Sequence, residues 1–186
     1  MEYGEEIRLL GQSWSLIHFV ENPGMAFGLT LGGDYGKLAL SLFRIVAVVF
    51  LCAYIEKLVR LNAPSALLLS FGLVLAGAIG NIIDSAFYGM VFSESPFHGG
   101  LAQLFPIEGG YANFLHGKVV DMLYFPLLQG NFPSWLPFWG GEPYLFFRPV
   151  FNLADASISV GVACIIVFHR GFFSTLEEQK MDTDAS

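Results

Sequence analysis

Charge is the first thing this 186-residue chain lacks. Charged residues make up 13%, about half the share of an average soluble domain. So few cannot cover a water-exposed surface, which excludes an ordinary soluble globule. Basic residues are scarcer still, with 9 Lys+Arg against 16 Asp+Glu and a net charge of −7. No basic field exists for a phosphate backbone, so nucleic acid is not an expected partner. Cysteine occurs twice, as Cys52 and Cys164, each inside an apolar run. That excludes a disulfide framework or a zinc cluster. The chain has no Gly-x-Ser-x-Gly elbow and no phosphate-cradling glycine loop ahead of a helix. His98 and His116 could join Asp121 at a metal, but no His-x-x-x-His or Cys-x-x-Cys spacing supports them, so a metal site is not expected. No internal repeat is visible. Residues 1–37 hold no apolar run, so they form neither a signal peptide nor a span.

Apolar residues are what the chain has instead. They account for 54%, with 19 Phe, 7 Tyr and 3 Trp, too much for disorder outside the polar tail. Three stretches approach bilayer length: Leu38 to Ile55, Ala66 to Ile83 and Val150 to Phe168. About 20 helical residues cross roughly 30 Å of hydrocarbon. The expected class is therefore a membrane α-helical protein with three visible spans. Lys57 and Arg60 lie between the first two runs, and His169, Arg170 and Lys180 follow the third. Placing both groups in the cytoplasm satisfies the positive-inside bias. The protein is then multi-pass in a cell membrane, with its N-terminal part outside, and some preceding transmembrane helix is expected to carry that part across.

A single membrane domain is expected, in the following order. Residues 1–37 form an extracytoplasmic β segment, with a strand from Ser13 to Val20 closed by the turn Asn22-Pro23-Gly24. Spans occupy 38–56, 65–84 and 150–169. Residues 85–149 form an extracytoplasmic lobe, and 170–186 a cytoplasmic tail. A small β element should combine residues around 13–30 and 114–124. Phe132, Trp135, Trp139, Tyr144, Phe146 and Phe147 make an aromatic-rich interfacial loop.

The residues that stand out are polar ones at the outer ends of the runs. A carboxylate inside a span is a functional candidate by default. Asp155 lies five residues past Val150, about 7–8 Å in at 1.5 Å per residue. Asn152 and Ser159 share its helical face. Below Ser159 the run is apolar, which argues against a small ion transporter. Gly72, Ala76 and Gly80 recur every four residues, a face that lets helices approach. Asn81 and Asp84 follow at the outer end, suited to bracing a loop or orienting neighbours. Asp121 ends Gly117-Lys118-Val119-Val120-Asp121, where two β-branched residues lead into it.

Asp121 and Asp155 matter as a pair. If the aromatic loop folds back, their carboxyls meet within roughly 3–6 Å, close enough to share a water. One ionised group would take a proton from that water while the other, protonated, polarises a scissile carbonyl. At ~4 Å and an effective dielectric near 20 their repulsion is about 4 kcal/mol, so they titrate as one unit.

Four blocks, in order, then resemble a known family. They are Asn22-Pro23-Gly24-Met25-Ala26-Phe27-Gly28, Gly80-Asn81-Ile82-Ile83-Asp84, Val119-Val120-Asp121 and Phe151-Asn152-Leu153-Ala154-Asp155. The pattern resembles that of the lipoprotein signal peptidases (signal peptidase II), which are membrane aspartic proteases. The resemblance implies four transmembrane helices and a catalytic dyad of Asp121 and Asp155. It gives Asn22, Gly24, Asn81, Asp84, Asn152 and Ala154 the task of binding substrate or shaping the site. It implies a bacterial inner-membrane enzyme with its site on the extracytoplasmic face. The implied partners are membrane lipid and a prolipoprotein whose cysteine already carries diacylglycerol, cut just before that cysteine. No cofactor is implied. Three features depart from the pattern. The family's first helix with its Asp-Gln-x-x-Lys motif is not seen, which keeps a non-catalytic truncated relic open as an alternative. Ser85 stands where the family has an Arg. The segment from Ser85 to His116 is longer than the family's connection.

Overall fold

The computed structural model describes residues 1–2, 4–23, 33–96 and 100–172. Gly24 and the residues of its motif that follow it, His98 and residues 173–186 of the C-terminal tail lie outside the described residues. The chain divides into two compact units. One comprises Met1–Leu38 and Asp84–Asn152, the other Ala39–Ile83 and the chain from Leu153 on.

The first unit is built on a four-stranded antiparallel sheet. Its strands are β1 (Glu6–Arg8), β2 (Leu16–Asn22), β3 (Val119–Tyr124) and β6 (Val150–Phe151), in the spatial order β1-β2-β3-β6. Val119 and Val120 suit a pleated surface, and their alternation buries Val119 and Asp121 on one face. The register of β2 against β3 is irregular. Ile17 faces Leu123 but Val20 faces Asp121, so a bulge lies between Ile17 and Val20. Val150 and Phe151 belong to this sheet and not to a helix, because their backbones pair with Tyr124 and Leu123. An apolar run does not by itself distinguish strand from helix.

A separate hairpin, β4 (Leu128–Asn131) with β5 (Pro143–Phe146), carries the aromatic loop. Phe132 and Tyr144 stack with centroids 5.0 Å apart. Trp135 and Phe138 are 77% and 94% exposed, so the aromatic surface of this hairpin is turned outward.

This unit also holds a wide π-helical turn, Asp84–Tyr88, and a single helical turn α3 (Gly89–Val91). The helix expected to stop at residue 84 continues in these looser turns. Their carbonyls are taken by the lobe: Gly117 N–H donates to Ser85 at 2.8 Å and Ala112 N–H to Gly89 at 2.9 Å. The approach is so close that a Cβ on Gly117 would lie 2.8 Å from the Gly89 nitrogen.

The second unit is helical, with α1 (Gly33–Arg60) from Ala39 on, α2 (Ser65–Ile83) and α4 (Leu153–Phe168). Two helical stretches among the described residues, Tyr35–Arg60 and Ser65–Val91, are long and apolar enough to cross a bilayer. At 16 residues, α4 rises about 24 Å. Asn62, in the left-handed region at φ 52°, ends α1 as a helix-capping residue does, and Ala63 N–H donates to Leu58 at 3.0 Å. Leu58, Ala63 and Leu67 are buried there beneath Tyr54 and Phe71.

Helix α4 packs on α2 through a face that includes Ser70, Gly77 and Asn81, all buried. A Cβ on Gly77 would collide with the Ala154 carbonyl and Ile158, and one on Gly161 with the Ser70 carbonyl. Ser157 Oγ donates to the Leu73 carbonyl at 2.8 Å, a polar tie between the two helices. The four-residue face expected from Gly72, Ala76 and Gly80 is shifted by one residue, to Gly77 and Asn81. Gly80 does approach Ala154, but Gly72 has open space around it and Ala76 is exposed. Gly77→Val is therefore expected to destabilise the fold by about 1–3 kcal/mol through overpacking. Gly72→Ala should be neutral or mildly stabilising. Thermal unfolding in detergent would compare the two, and equal behaviour would remove the packing account.

Candidate active site

In the sheet unit, three strands converge on one carboxylate. Asp121 sits in β3 opposite Val20 and is only 3% exposed. Asn22, two residues along β2 on the same face, donates its amide to Asp121 Oδ2 at 2.9 Å. Asn152, directly after β6, donates to Oδ1 at 2.9 Å. An amide nitrogen can only donate, so both carboxylate oxygens act as acceptors. A buried charge is tolerable only with such partners. Asp84 serves the same strand from below, its Oδ2 accepting the Val120 N–H at 3.3 Å. It fixes backbone next to Asp121.

The helical unit has its own carboxylate. Asp155 stands in the first turn of α4. Asn81, buried in α2, donates its amide to Asp155 Oδ1 at 2.9 Å. Asn81 lies one turn beyond Gly77, on the face that α4 covers. Ala154 fills that crossing, its Cβ 3.2 Å from where a Cβ on Gly80 would lie. A larger residue at 154 would separate the helices that bring Asn81 to Asp155.

Thus Asn22, Asp84, Asp121 and Asn152 are assembled in one unit, and Asn81, Ala154 and Asp155 in the other. Gly24 lies outside the described residues. His116 is turned to the Phe114 carbonyl, 2.9 Å from Nδ1. Among the described residues no group of three or more His, Cys, Asp and Glu side chains could hold a metal ion.

Comparison with known proteins agrees with the pattern of the blocks. The description "Signal peptidase (SPase) II" matches residues 2–170. The chain belongs to the signal peptidase II family. It is 56% identical over 178 residues to a protein of Porphyromonas gingivalis named lipoprotein signal peptidase, covering 92% of this chain and 76% of that one. A protein of the same name from Amoebophilus asiaticus is 39% identical over 166 residues, covering 89% and 65%. Among solved structures, the fold is similar to a bacterial membrane enzyme determined by the in meso method at 2.3 Å resolution. The TM-score is 0.50 at 21% identity, covering 90% of this chain and 71% of that one.

One cluster of this signal peptidase II chain escapes a reading of its sequence. Glu21 is buried, with Ser95 Oγ donating to Oε1 at 2.5 Å and Lys118 Nζ to Oε2 at 2.7 Å. The Lys118 ammonium also lies 5.1 Å from the Tyr111 ring centre, and Tyr111 Oη accepts the Lys118 N–H at 2.7 Å. These residues are scattered in the sequence. Only the isolated charge of Glu21 inside an apolar strand could have signalled them.

Burial pushes the Tyr111 phenol above its usual range, with the charge of Glu21 adding to the shift. The folded protein therefore holds a proton that the unfolded chain releases near pH ~10. Stability from this group is complete below that pH and is lost as pH rises beyond it. Tyr111→Phe is expected to flatten part of the alkaline loss, read as unfolding midpoint against pH from 8 to 11. An unchanged slope would contradict the assignment.

Proposed function

We propose that this protein is a membrane aspartic endopeptidase of the signal peptidase II type in which Asp121 and Asp155 act together on one water. It removes signal peptides from prolipoproteins. The substrate is a prolipoprotein whose cysteine already carries diacylglycerol, and the bond cut is the one before that cysteine. The apolar helices support a multi-pass placement in the bacterial cytoplasmic membrane, with the site on the extracytoplasmic face and membrane lipid as the surrounding medium. Substrate anchored by its lipid arrives laterally at such a site. The three spans seen in the apolar runs, and a fourth implied by the family, belong to this reading, as does joint action of both units as one catalytic body.

One observation carries the reading: each of two aspartates is held by asparagine amides within its own unit. The amides on both oxygens of Asp121 support giving it the ionised role. It takes a proton from water, and the hydroxide so formed attacks the scissile carbonyl carbon. Asp155, carrying the shared proton, hydrogen-bonds the carbonyl oxygen as negative charge builds there. Collapse of the tetrahedral intermediate breaks the C–N bond, and the proton held by Asp121 passes to the leaving nitrogen. The family's positions Asn22, Asn81, Asn152 and Ala154 keep both carboxyls oriented, and Gly24 belongs to the same reading.

Asp121→Asn and Asp155→Asn should each reduce cleavage by roughly 100- to 10,000-fold. Asn keeps size and hydrogen bonding but cannot take a proton from water. Asp84→Asn should retain part of the activity, since its observed role is to a backbone N–H. The measurement is processing of diacylglyceryl-modified prolipoprotein in membranes. A wild-type rate in either dyad variant would refute the mechanism.

A further inference from the structure

We infer that Glu21 is a positioning residue, whose buried ion pair with Lys118 on the reverse face of the sheet holds the strand register in which Asn22 meets Asp121. The inference rests on the reading of Asp121 as catalytic and adds a residue to it.

The bulge divides the pairing of β2 with β3 in two. Before it, Leu16 and Ile17 face Tyr124 and Leu123; after it, Val20, Glu21 and Asn22 face Asp121, Val120 and Val119. The pairing thus moves by one residue inside a strand of 7 residues. A slip of one residue sends every side chain to the opposite face. Here it would carry Asn22 away from Asp121. Something must select the register beyond the bulge, and only three residues of β2 remain to do so.

Side-chain alternation puts Val20, Asn22, Val119 and Asp121 on one face. Glu21, Lys118 and Val120 lie on the other. Glu21 and Lys118 are diagonal neighbours there, the spacing at which long cross-strand pairs meet. Their 2.7 Å contact joins a carboxylate that is 2% exposed to an ammonium that is 26% exposed. Such a pair adds little net stability over an apolar one, but its separation leaves a buried charge uncompensated. It therefore penalises wrong registers far more than it strengthens the right one. Ser95 and Tyr111 complete the selection. Ser95 occupies the second oxygen of Glu21, while the Tyr111 ring and hydroxyl hold the side chain and backbone of Lys118. In the slipped register neither Glu21 oxygen would find these donors.

The test is a double-variant cycle on modified prolipoprotein in membranes, with kcat and KM measured per folded molecule. Glu21→Gln keeps the shape and removes the charge. It should lower kcat roughly tenfold with KM unchanged, as should Asn22→Ala. The double variant should fall no further than Asn22→Ala alone, because both changes act through the same amide. Multiplication of the two losses would overturn the inference. So would a wild-type kcat per folded molecule in Glu21→Gln, the mark of a purely structural pair. If Glu21→Gln does not fold, Glu21→Gln with Lys118→Met leaves no uncompensated charge, and the same cycle is run on that background. Asp121→Asn, measured in parallel, separates the two claims. If it is active, the catalytic reading fails. If it is inactive and the cycle is multiplicative, only the positioning role fails.

Discussion

A carboxylate that accepts amide hydrogen bonds on both oxygens is the interaction around which the sheet unit is arranged. In a chain so poor in charge, burying Asp121 without donors would cost several kcal/mol. The two donors come from different strands, Asn22 at the end of β2 and Asn152 at the end of β6. Neither can reach unless both strands flank β3 in the right register. The sheet order β1-β2-β3-β6 thus follows from the need to satisfy one side chain as much as from its backbone ladder. Asp84 contributes from the π-helical turn by accepting the N–H of Val120 beside it.

The helical unit solves the same problem differently. Asp155 stands in the first turn of α4 and takes an amide, from Asn81, that orients it. That amide comes from a second helix, so the distance between α2 and α4 decides whether it is met. Gly77, Ala154 and Gly161 set that distance by having little or no side chain at the crossing. Packing by small residues is a general means of bringing membrane helices together, where lipid gives no apolar incentive for them to associate. Here it also sets the reach of a hydrogen bond.

Much of this was legible in the amino-acid order. Scarcity of charge and long apolar runs gave the membrane class, since both are properties of composition. The four blocks gave the family because each keeps its residues close together. Boundaries were less legible. Val150 and Phe151 are apolar and read as the start of a helix, but their backbones complete the sheet, and hydrophobicity alone carries no preference between these ends. The interhelical face was displaced from Gly72 to Gly77 because which side of a uniformly apolar helix is covered depends on its partner. Of the Glu21–Lys118 pair, only the isolated charge of Glu21 in an apolar strand gave a sign. Its members stand 97 positions apart, and their meeting depends on a bulge that no local pattern announces.

The π-helical turn has a consequence for how such a protein can change over generations. Its carbonyls at Ser85 and Ala86, and that of Gly89 in α3, accept N–H groups from Gly117, Leu115 and Ala112. These are backbone-to-backbone ties, indifferent to side-chain identity except where Gly117 and Gly110 lie too close for a Cβ. The lobe is held at its root in the manner of a bracket. Between Ser95 and Tyr111, whose own side chains reach Glu21 and Lys118, chain can lengthen, shorten or drift in composition while the strand that carries Asp121 leaves the bracket at the same point and in the same direction. Change between those two anchors need not reach the Asp121 carboxylate.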